Sequence, residues 1–176
     1  MLNTVTIRIA WGSSEGPTKI SSFDGALNKA GIHNLNLINL SSIIPPRADV
    51  VEVGRIQQKE PVGSIGKVVM SHIEGVNCWI TSGLGWAVAE EGGILVEGAK
   101  EGRSVDCKGE IRKGLENMME RRSWTWISKP RVRTIEAKAR SDCFSSVVVA
   151  ALYGIEPLVS TKNTKVPREI SSRKSF

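Results

Sequence analysis

Residues 34–46 have the sequence Asn-Leu-Asn-Leu-Ile-Asn-Leu-Ser-Ser-Ile-Ile-Pro-Pro, and this stretch decides how the chain is interpreted. Apolar side chains alternate on both faces of residues 34–41, which predicts a strand. A strand with apolar groups on both faces is typical of a position between two packed layers. The proline pair at 45–46 is expected to end the strand, because neither residue has an N–H to donate to a sheet ladder.

The residues before this stretch predict one strand, one loop and one helix. Residues 4–11 alternate with period two and predict a strand, and the Gly-Ser-Ser-Glu-Gly sequence of residues 12–16 predicts a loop. Ser21 is expected to cap a helix that runs to Ala30 and is ended by the next glycine. Asp24, three residues after Ser21, completes the pattern of a capping box.

The residues after the prolines predict further strands and a second helix. The strands are expected at 48–53, 66–73, 77–89, 93–97, 131–140 and 144–153. Apolar residues with a helical period predict a helix over about Val105 to Arg122, capped by Ser104 or Asp106. This order of elements predicts an α+β protein with helices packed on sheets.

The composition indicates one globular domain without metal or disulfide support. The chain has 176 residues, of which 40% are apolar and 24% charged, which is enough for a sizeable core. No apolar run is long enough to span a membrane, and the N-terminus does not have the pattern of a signal peptide. Three distant cysteines and two histidines exclude a zinc cluster and a disulfide framework, and they favour the cytoplasm.

The positive charge is concentrated in the last residues of the chain. The net charge is +6, and residues 160–176 have five basic residues and one acid, so they carry +4 while residues 1–159 carry +2. Residues 156–176 lack periodicity and are expected to form a basic, mobile tail after a single domain of residues 1–155. A nucleic-acid-binding module that uses this tail is the non-enzyme alternative, although a nearly neutral body makes nucleic acid an improbable partner.

Ser41 and Ser42 stand where the predicted strand meets the constrained turn. In such a turn the hydroxyl of Ser42 can attack the carbonyl of Ser41, because the resulting ester relieves strain in the peptide bond. β-Elimination of the ester would split the chain and leave residue 42 as a pyruvoyl group. An ordinary Ser-Ser turn before prolines is the plainer interpretation of the same residues.

Several segments closely resemble, in the same order, the pyruvoyl-dependent arginine decarboxylase family. They are Gly12–Gly16, Phe23–Leu27, Ala30–Ile32, Asn36–Ile38 and Ser41–Pro46. Gly93–Glu97 resembles the family's later strand that carries an acid, and Cys143–Tyr153 resembles its last strand. The resemblance covers about residues 3–154, and the N-terminal motifs are its most specific part.

The resemblance implies a fold, a reaction and an assembly. The fold would be an αββα four-layer sandwich, cut between Ser41 and Ser42 into residues 1–41 and 42–176. The covalently bound pyruvoyl group made from Ser42 would form a Schiff base with L-arginine and release CO2 and agmatine, with no metal, pyridoxal phosphate or membrane. The assembly would be a homotrimer of cleaved pairs, or a dimer of trimers, with active sites between neighbouring subunits.

The resemblance also implies roles for three further residues. Glu97 matches the proton donor, and the apolar residues before it would disfavour its charged form. Asp24 matches the acid that receives the substrate guanidinium in a bidentate pair, although it also suits the first turn of a helix. Asn36 matches the asparagine that assists self-processing by binding an oxyanion. Only Asp24 indicates a cationic substrate, so the same chemistry on another amino acid stays an alternative.

Overall fold

The described part of the chain, residues 5–158 of the computed structural model, contains nine strands and two helices. In chain order these are β1 (Thr6–Gly16), α1 (Lys19–Ala30), β2 (Asn36–Asn39), β3 (Ile43–Ile44), β4 (Asp49–Gly54), β5 (Ile65–Gly75), β6 (Trp79–Ala89), β7 (Gly92–Glu101), α2 (Ser104–Glu120), β8 (Arg131–Lys138) and β9 (Phe144–Glu156).

The strands form two sheets, and each sheet has one helix on its outer face. The five-stranded sheet has the order β2-β5-β9-β1-β4, and the four-stranded sheet has the order β3-β7-β6-β8. One apolar cluster joins α1 to the first sheet, a second lies between the sheets, and a third joins α2 to the second sheet. The predicted α+β class and the αββα layering are therefore confirmed.

The connection from β2 to β3 carries the chain from one sheet to the other. Leu40 N–H still donates to Val68 of the five-stranded sheet at 2.7 Å, whereas Ser42 already accepts from Leu95 of the four-stranded sheet at 2.9 Å. The predicted strand over residues 34–41 is shorter, since β2 covers only Asn36–Asn39. The short strand β3 was not expected at all.

The predicted loop at residues 12–16 is wrong, because these residues continue β1 and pair with β9. Glycine and serine suggested a loop, but they serve close packing against α1. A Cβ atom at Gly12 would collide with the carbonyl oxygen of Ala26, and one at Gly25 would collide with the side chain of Ser14. The glycines allow the helix to lie directly on the strand.

Helix α1 begins one turn earlier than predicted. Its N-cap is Thr18, whose hydroxyl accepts from the N–H of Ser21, and Ser21 in turn bonds the Thr18 backbone. The expected box of Ser21 and Asp24 is therefore wrong, and no acid lies in the first turn. Gly31 ends the helix in a left-handed conformation with φ 83°, as predicted.

Helix α2 begins without a side-chain cap from its own segment. Its N-cap residue is Arg103, so the prediction of Ser104 or Asp106 as cap is wrong. The Ser104 N–H instead donates to the Glu136 carboxylate on β8 at 2.7 Å. The pKa of Glu136 is lowered mainly by this hydrogen bond from the Ser104 N–H, and the neighbouring Arg103 side chain lowers it further.

None of the helices in residues 5–158 is long and apolar enough to cross a membrane. The predicted basic tail, residues 156–176, lies outside the described residues from residue 159 onwards, and its first residue, Glu156, belongs to β9.

Candidate active site

The Ser42 hydroxyl lies against the carboxylate of Glu97. Its Oγ donates to Glu97 Oε2 at 2.8 Å, across 55 positions of sequence. Ser42 is partly buried at the crossing between the sheets. The structure thus brings together the predicted cleavage residue and the predicted proton donor.

Strand alternation explains why Glu97 meets the serine. Leu95 is 1% exposed in the cluster between the sheets, and Glu97 follows it by two residues on the same face of β7. Glu97 therefore lies where this inner face opens to the outside. Its side chain is exposed in a single copy of the chain, so the apolar residues before it do not enclose it.

The backbone around Ser42 forms a tight turn in which the carbonyl oxygens of Ser41 and Ser42 each accept a backbone N–H. Leu95 N–H donates to the Ser42 carbonyl oxygen at 2.9 Å, and Ile43 N–H donates to the Ser41 carbonyl oxygen at 2.8 Å. The second bond spans two residues, which is the pattern of a γ-turn centred on Ser42. The expectation of a constrained turn at this serine agrees with this geometry.

Tyr153 on β9 is a residue of this site that the sequence did not reveal. Its hydroxyl donates to the Ile43 carbonyl oxygen at 2.9 Å. Burial raises the pKa of Tyr153 well above its usual range, and the nearby Glu97 carboxylate raises it further, so the hydroxyl stays protonated. The contact spans 110 positions, and no local pattern announces it. Two sequence signals exist: Tyr153 is the one tyrosine in the chain, and it ends the Cys143–Tyr153 segment that resembles the last strand of a known family.

Asn36 projects from β2 toward the loop before β5. Its Nδ2 donates to the Gly63 carbonyl oxygen at 2.6 Å. Within residues 5–158 it makes no hydrogen bond to Ser41 or Ser42, so the uncut chain does not bring its amide to the bond that would break. In this state the Ser41 carbonyl is already bound by the Ile43 N–H.

Asp24 is exposed on α1 and lies far from the serine in the layer order. The five-stranded sheet separates α1 from β7, which carries Glu97. Among the described residues Asp24 has no hydrogen bond or ion pair. The start of α1 at Lys19 also puts Asp24 beyond the first turn, so a role in capping does not explain it.

The residues around position 42 fit a prosthetic group made from that residue. Its carbonyl is held by the Leu95 N–H, while its side chain points to a carboxylate. Such a group would remain attached to β3 through the Ile43 peptide, so it needs no separate binding pocket. Leu95 and Glu97 would be its immediate neighbours.

Comparison with known proteins agrees with the class that this fold and serine site indicate, namely decarboxylases whose cofactor is a covalently bound pyruvoyl group. The profile of one such family, pyruvoyl-dependent arginine decarboxylase, matches residues 6–157. The chain belongs to that family. The cofactor of the family is the pyruvoyl group, and not a metal or pyridoxal phosphate.

Relatives named pyruvoyl-dependent arginine decarboxylase occur in several archaea. The protein from Halobacterium salinarum is 35% identical over 150 residues, which cover 84% of this chain and 93% of the relative. The protein from Thermococcus sibiricus is 34% identical over 146 residues, covering 80% and 91% respectively. The protein from Thermococcus kodakarensis is 28% identical over 149 residues, covering 82% and 92%.

Proposed function

We propose that this protein is a self-processing decarboxylase that converts L-arginine to agmatine and CO2. The observation that carries the proposal is the 2.8 Å hydrogen bond from the Ser42 hydroxyl to Glu97 in a chain of this family. The relatives' names supply the substrate, arginine. The three cysteines are all free thiols, which supports the cytoplasm as the compartment.

Self-processing would begin with an acyl shift at the Ser41–Ser42 bond. The Ser42 Oγ adds to the Ser41 carbonyl carbon, the C–N bond breaks, and the hydroxyl proton ends on the Ser42 nitrogen. The product is an ester and a free amine. Elimination then removes the Cα proton of Ser42, breaks the Cβ–O bond and releases Ser41 as a carboxylate. Uptake of water and loss of ammonia convert residue 42 to a pyruvoyl group.

In the cut protein the pyruvoyl group supplies a ketone that binds the substrate amine and an electron sink for decarboxylation. Leu95 N–H, which bonds the residue 42 carbonyl oxygen at 2.9 Å, would stabilise negative charge there. Glu97 would return a proton to the carbon that has lost CO2, as its position beside residue 42 permits.

Substrate recognition would use the carboxylate of Asp24 for the planar guanidinium, which suits bidentate pairing. Asp24 lies on another layer from Glu97 in one copy, so a neighbouring copy would have to supply it. Such sharing needs sites between subunits, which the expected homotrimer of cleaved pairs, or a dimer of trimers, would provide. Asn36 is proposed to assist self-processing indirectly, because its bond to the Gly63 carbonyl oxygen holds the strand β2 that leads into the cleavage segment, and Asn36→Ala should therefore slow the cut.

A denaturing mass spectrum of the purified protein tests the self-processing. We expect two fragments that meet between Ser41 and Ser42, with a large fragment that lacks a free amino terminus. Ser42→Ala should stay uncut, because it has no hydroxyl to attack. A wild-type chain that remains at 19.1 kDa would contradict the proposal.

Release of CO2 from single amino acids tests the substrate. Arginine, lysine, histidine and aspartate are supplied separately to the cut protein, with Ser42→Ala as the blank. We expect release from arginine. Release from another amino acid and not from arginine would keep the pyruvoyl chemistry and overturn the substrate.

A further inference from the structure

Both backbone groups of Ile43 face away from the four-stranded sheet. The strand β3 has only two residues and pairs with β7 along one side, where the Ser42 carbonyl meets the Leu95 N–H. Because carbonyl directions alternate along a strand, the N–H and C=O of Ile43 point to the opposite side. An edge strand would leave such groups without a partner.

The N–H and C=O of Ile43 each have a hydrogen-bond partner, which is Ser41 for the first and Tyr153 for the second. The Ile43 N–H donates to the Ser41 carbonyl oxygen at 2.8 Å, and the Ile43 C=O accepts from the Tyr153 hydroxyl at 2.9 Å. The Ser41 oxygen is the atom that becomes negatively charged when Ser42 attacks. The Ile43 N–H is therefore already placed as the donor for that oxyanion.

We propose that Tyr153 is a positioning residue for self-cleavage, because its hydroxyl holds Ile43 so that the Ile43 N–H stabilises the oxyanion on Ser41. The inference rests on the proposed self-processing. Leu95 fixes the peptide unit before Ile43, and Tyr153 fixes the unit after it. Together they remove rotation about both backbone bonds of Ile43, so the donor does not have to be reoriented during the acyl shift.

Three properties suit Tyr153 to this task. It extends from β9 of the five-stranded sheet and packs in the cluster between the sheets, so its ring is held by the core. Its hydroxyl reaches the other sheet at Ile43, which ties the crossing segment to both sheets. Burial and the Glu97 carboxylate both raise its pKa, so it remains a donor over the whole working range.

The rate of cutting after cell-free synthesis of the full chain tests this role. The chain is followed by denaturing mass spectrometry, and Tyr153→Phe should cut about tenfold more slowly, as expected from a displaced catalytic donor. Thr81→Val is the matched control. It also removes a buried hydroxyl that donates to a backbone carbonyl, that of Gly102 at 2.8 Å. It should lower the melting temperature without slowing the cut.

Hydroxylamine separates the acyl shift from the later elimination, because it cleaves an ester between residues 41 and 42 as soon as the ester forms. We expect Tyr153→Phe to remain equally slow in hydroxylamine. Recovery of the wild-type rate would place the defect after ester formation and overturn the proposal. Equal cutting by Tyr153→Phe and wild type would also overturn it. An uncut wild-type chain would instead refute the proposed function.

Non-natural side chains keep the test decisive if the phenylalanine variant does not fold. Replacement of Tyr153 by para-aminophenylalanine retains an N–H donor at the same ring position and should cut at close to the wild-type rate. Replacement by para-fluorophenylalanine retains a similar shape without a proton to donate and should be slow. Equal rates in these two proteins would refute the positioning role.

Discussion

Glu97 and Leu95 act on the same serine because they are two residues apart on one strand. The Leu95 side chain is buried between the sheets, while its N–H bonds the Ser42 carbonyl oxygen. Glu97 projects from the same face and accepts the Ser42 hydroxyl. One stretch of β7 thus provides a backbone N–H to the carbonyl oxygen of residue 42 and a carboxylate to its side chain.

The substitution Glu97→Gln should separate the two proposed reactions. A glutamine oxygen can still accept the Ser42 hydroxyl, so the chain should cut. Decarboxylation should fall by about a hundredfold or more, because the amide cannot supply the proton. Fragment masses and CO2 release from arginine measure the two effects, with Glu101→Gln on the same strand as control. Efficient turnover by Glu97→Gln would remove Glu97 from this role.

The site could be predicted only in part from the sequence, because residues that are far apart along the chain form it. The Ser-Ser-Ile-Ile-Pro-Pro motif indicated the turn at Ser42, and family resemblance indicated Glu97. Tyr153 has no such motif, since its partner is a backbone carbonyl that any residue could provide. Asn36 was expected at the scissile carbonyl, but it bonds Gly63, and the carbonyl is bound by a backbone N–H instead.

At the level of elements, the contact of α1 with β1 depends on glycines, which have no side chain to separate the helix from the strand. Gly12→Ala would place a Cβ against the Ala26 carbonyl. We expect the free energy of unfolding to fall by about 1–3 kcal/mol, as for other overpacked interiors.

Gly109→Ala is the control, because Gly109 is exposed on α2 with no atom near its added Cβ. It should stabilise the protein by up to about 1 kcal/mol. Chemical denaturation of both variants measures the difference, and an unchanged Gly12→Ala protein would contradict this packing.

The start of α2 should make stability depend on pH through Glu136. Its folded pKa is lowered by the Ser104 N–H, so it stabilises the protein above the unfolded pKa and loses this effect as pH falls through the folded value. Glu136→Gln should therefore melt at a lower temperature than wild type near neutral pH. The two melting temperatures should converge only as the pH falls below the lowered folded pKa of Glu136, where the carboxylate is protonated in both the folded and the unfolded state. A constant gap at all pH values would contradict this role.

Elements with regular apolar spacing were predictable, and elements set by contacts were not. Strand alternation indicated β5 and β6, and the helical period indicated α2. The strand at residues 12–16 was missed because its glycines serve a helix that packs on it. The cap of α2 was missed because Glu136 lies 32 positions from Ser104. The sequence pointed to Ser21 as the cap of α1, and Thr18 was missed because it is a capping residue of the same ordinary kind.

For the whole molecule, one copy of the chain does not bring all proposed site residues together. Asp24 is on the outer helix, and Ser42 with Glu97 is at the opening between the sheets. A site that uses all three residues must combine two copies, which in a cyclic trimer repeats at each interface.

Co-expression of two inactive variants tests this sharing. Asp24→Asn and Glu97→Gln should each have little activity alone. If equal amounts of the two copies assort at random in a trimer, each hybrid trimer regains one of its three sites, so the whole mixture regains about a quarter of the wild-type sites. The reason is that one copy then supplies Asp24 and its neighbour supplies Glu97. Native mass spectrometry should show three or six cleaved pairs, each with about the mass of the 19.1 kDa chain. No recovery in confirmed hybrids would contradict a shared site.

The strand order has a consequence for the life of the molecule after the proposed cut. The fragment of residues 1–41 contains β1, which lies between β9 and β4 of the other fragment. Before the cut, folding is a unimolecular event. After the cut, folding would require two chains to associate, and β1 of the small fragment would have to insert between two strands of the large fragment. The intact precursor would therefore fold more readily than the two separated fragments, and the cut protein would refold poorly once it has unfolded.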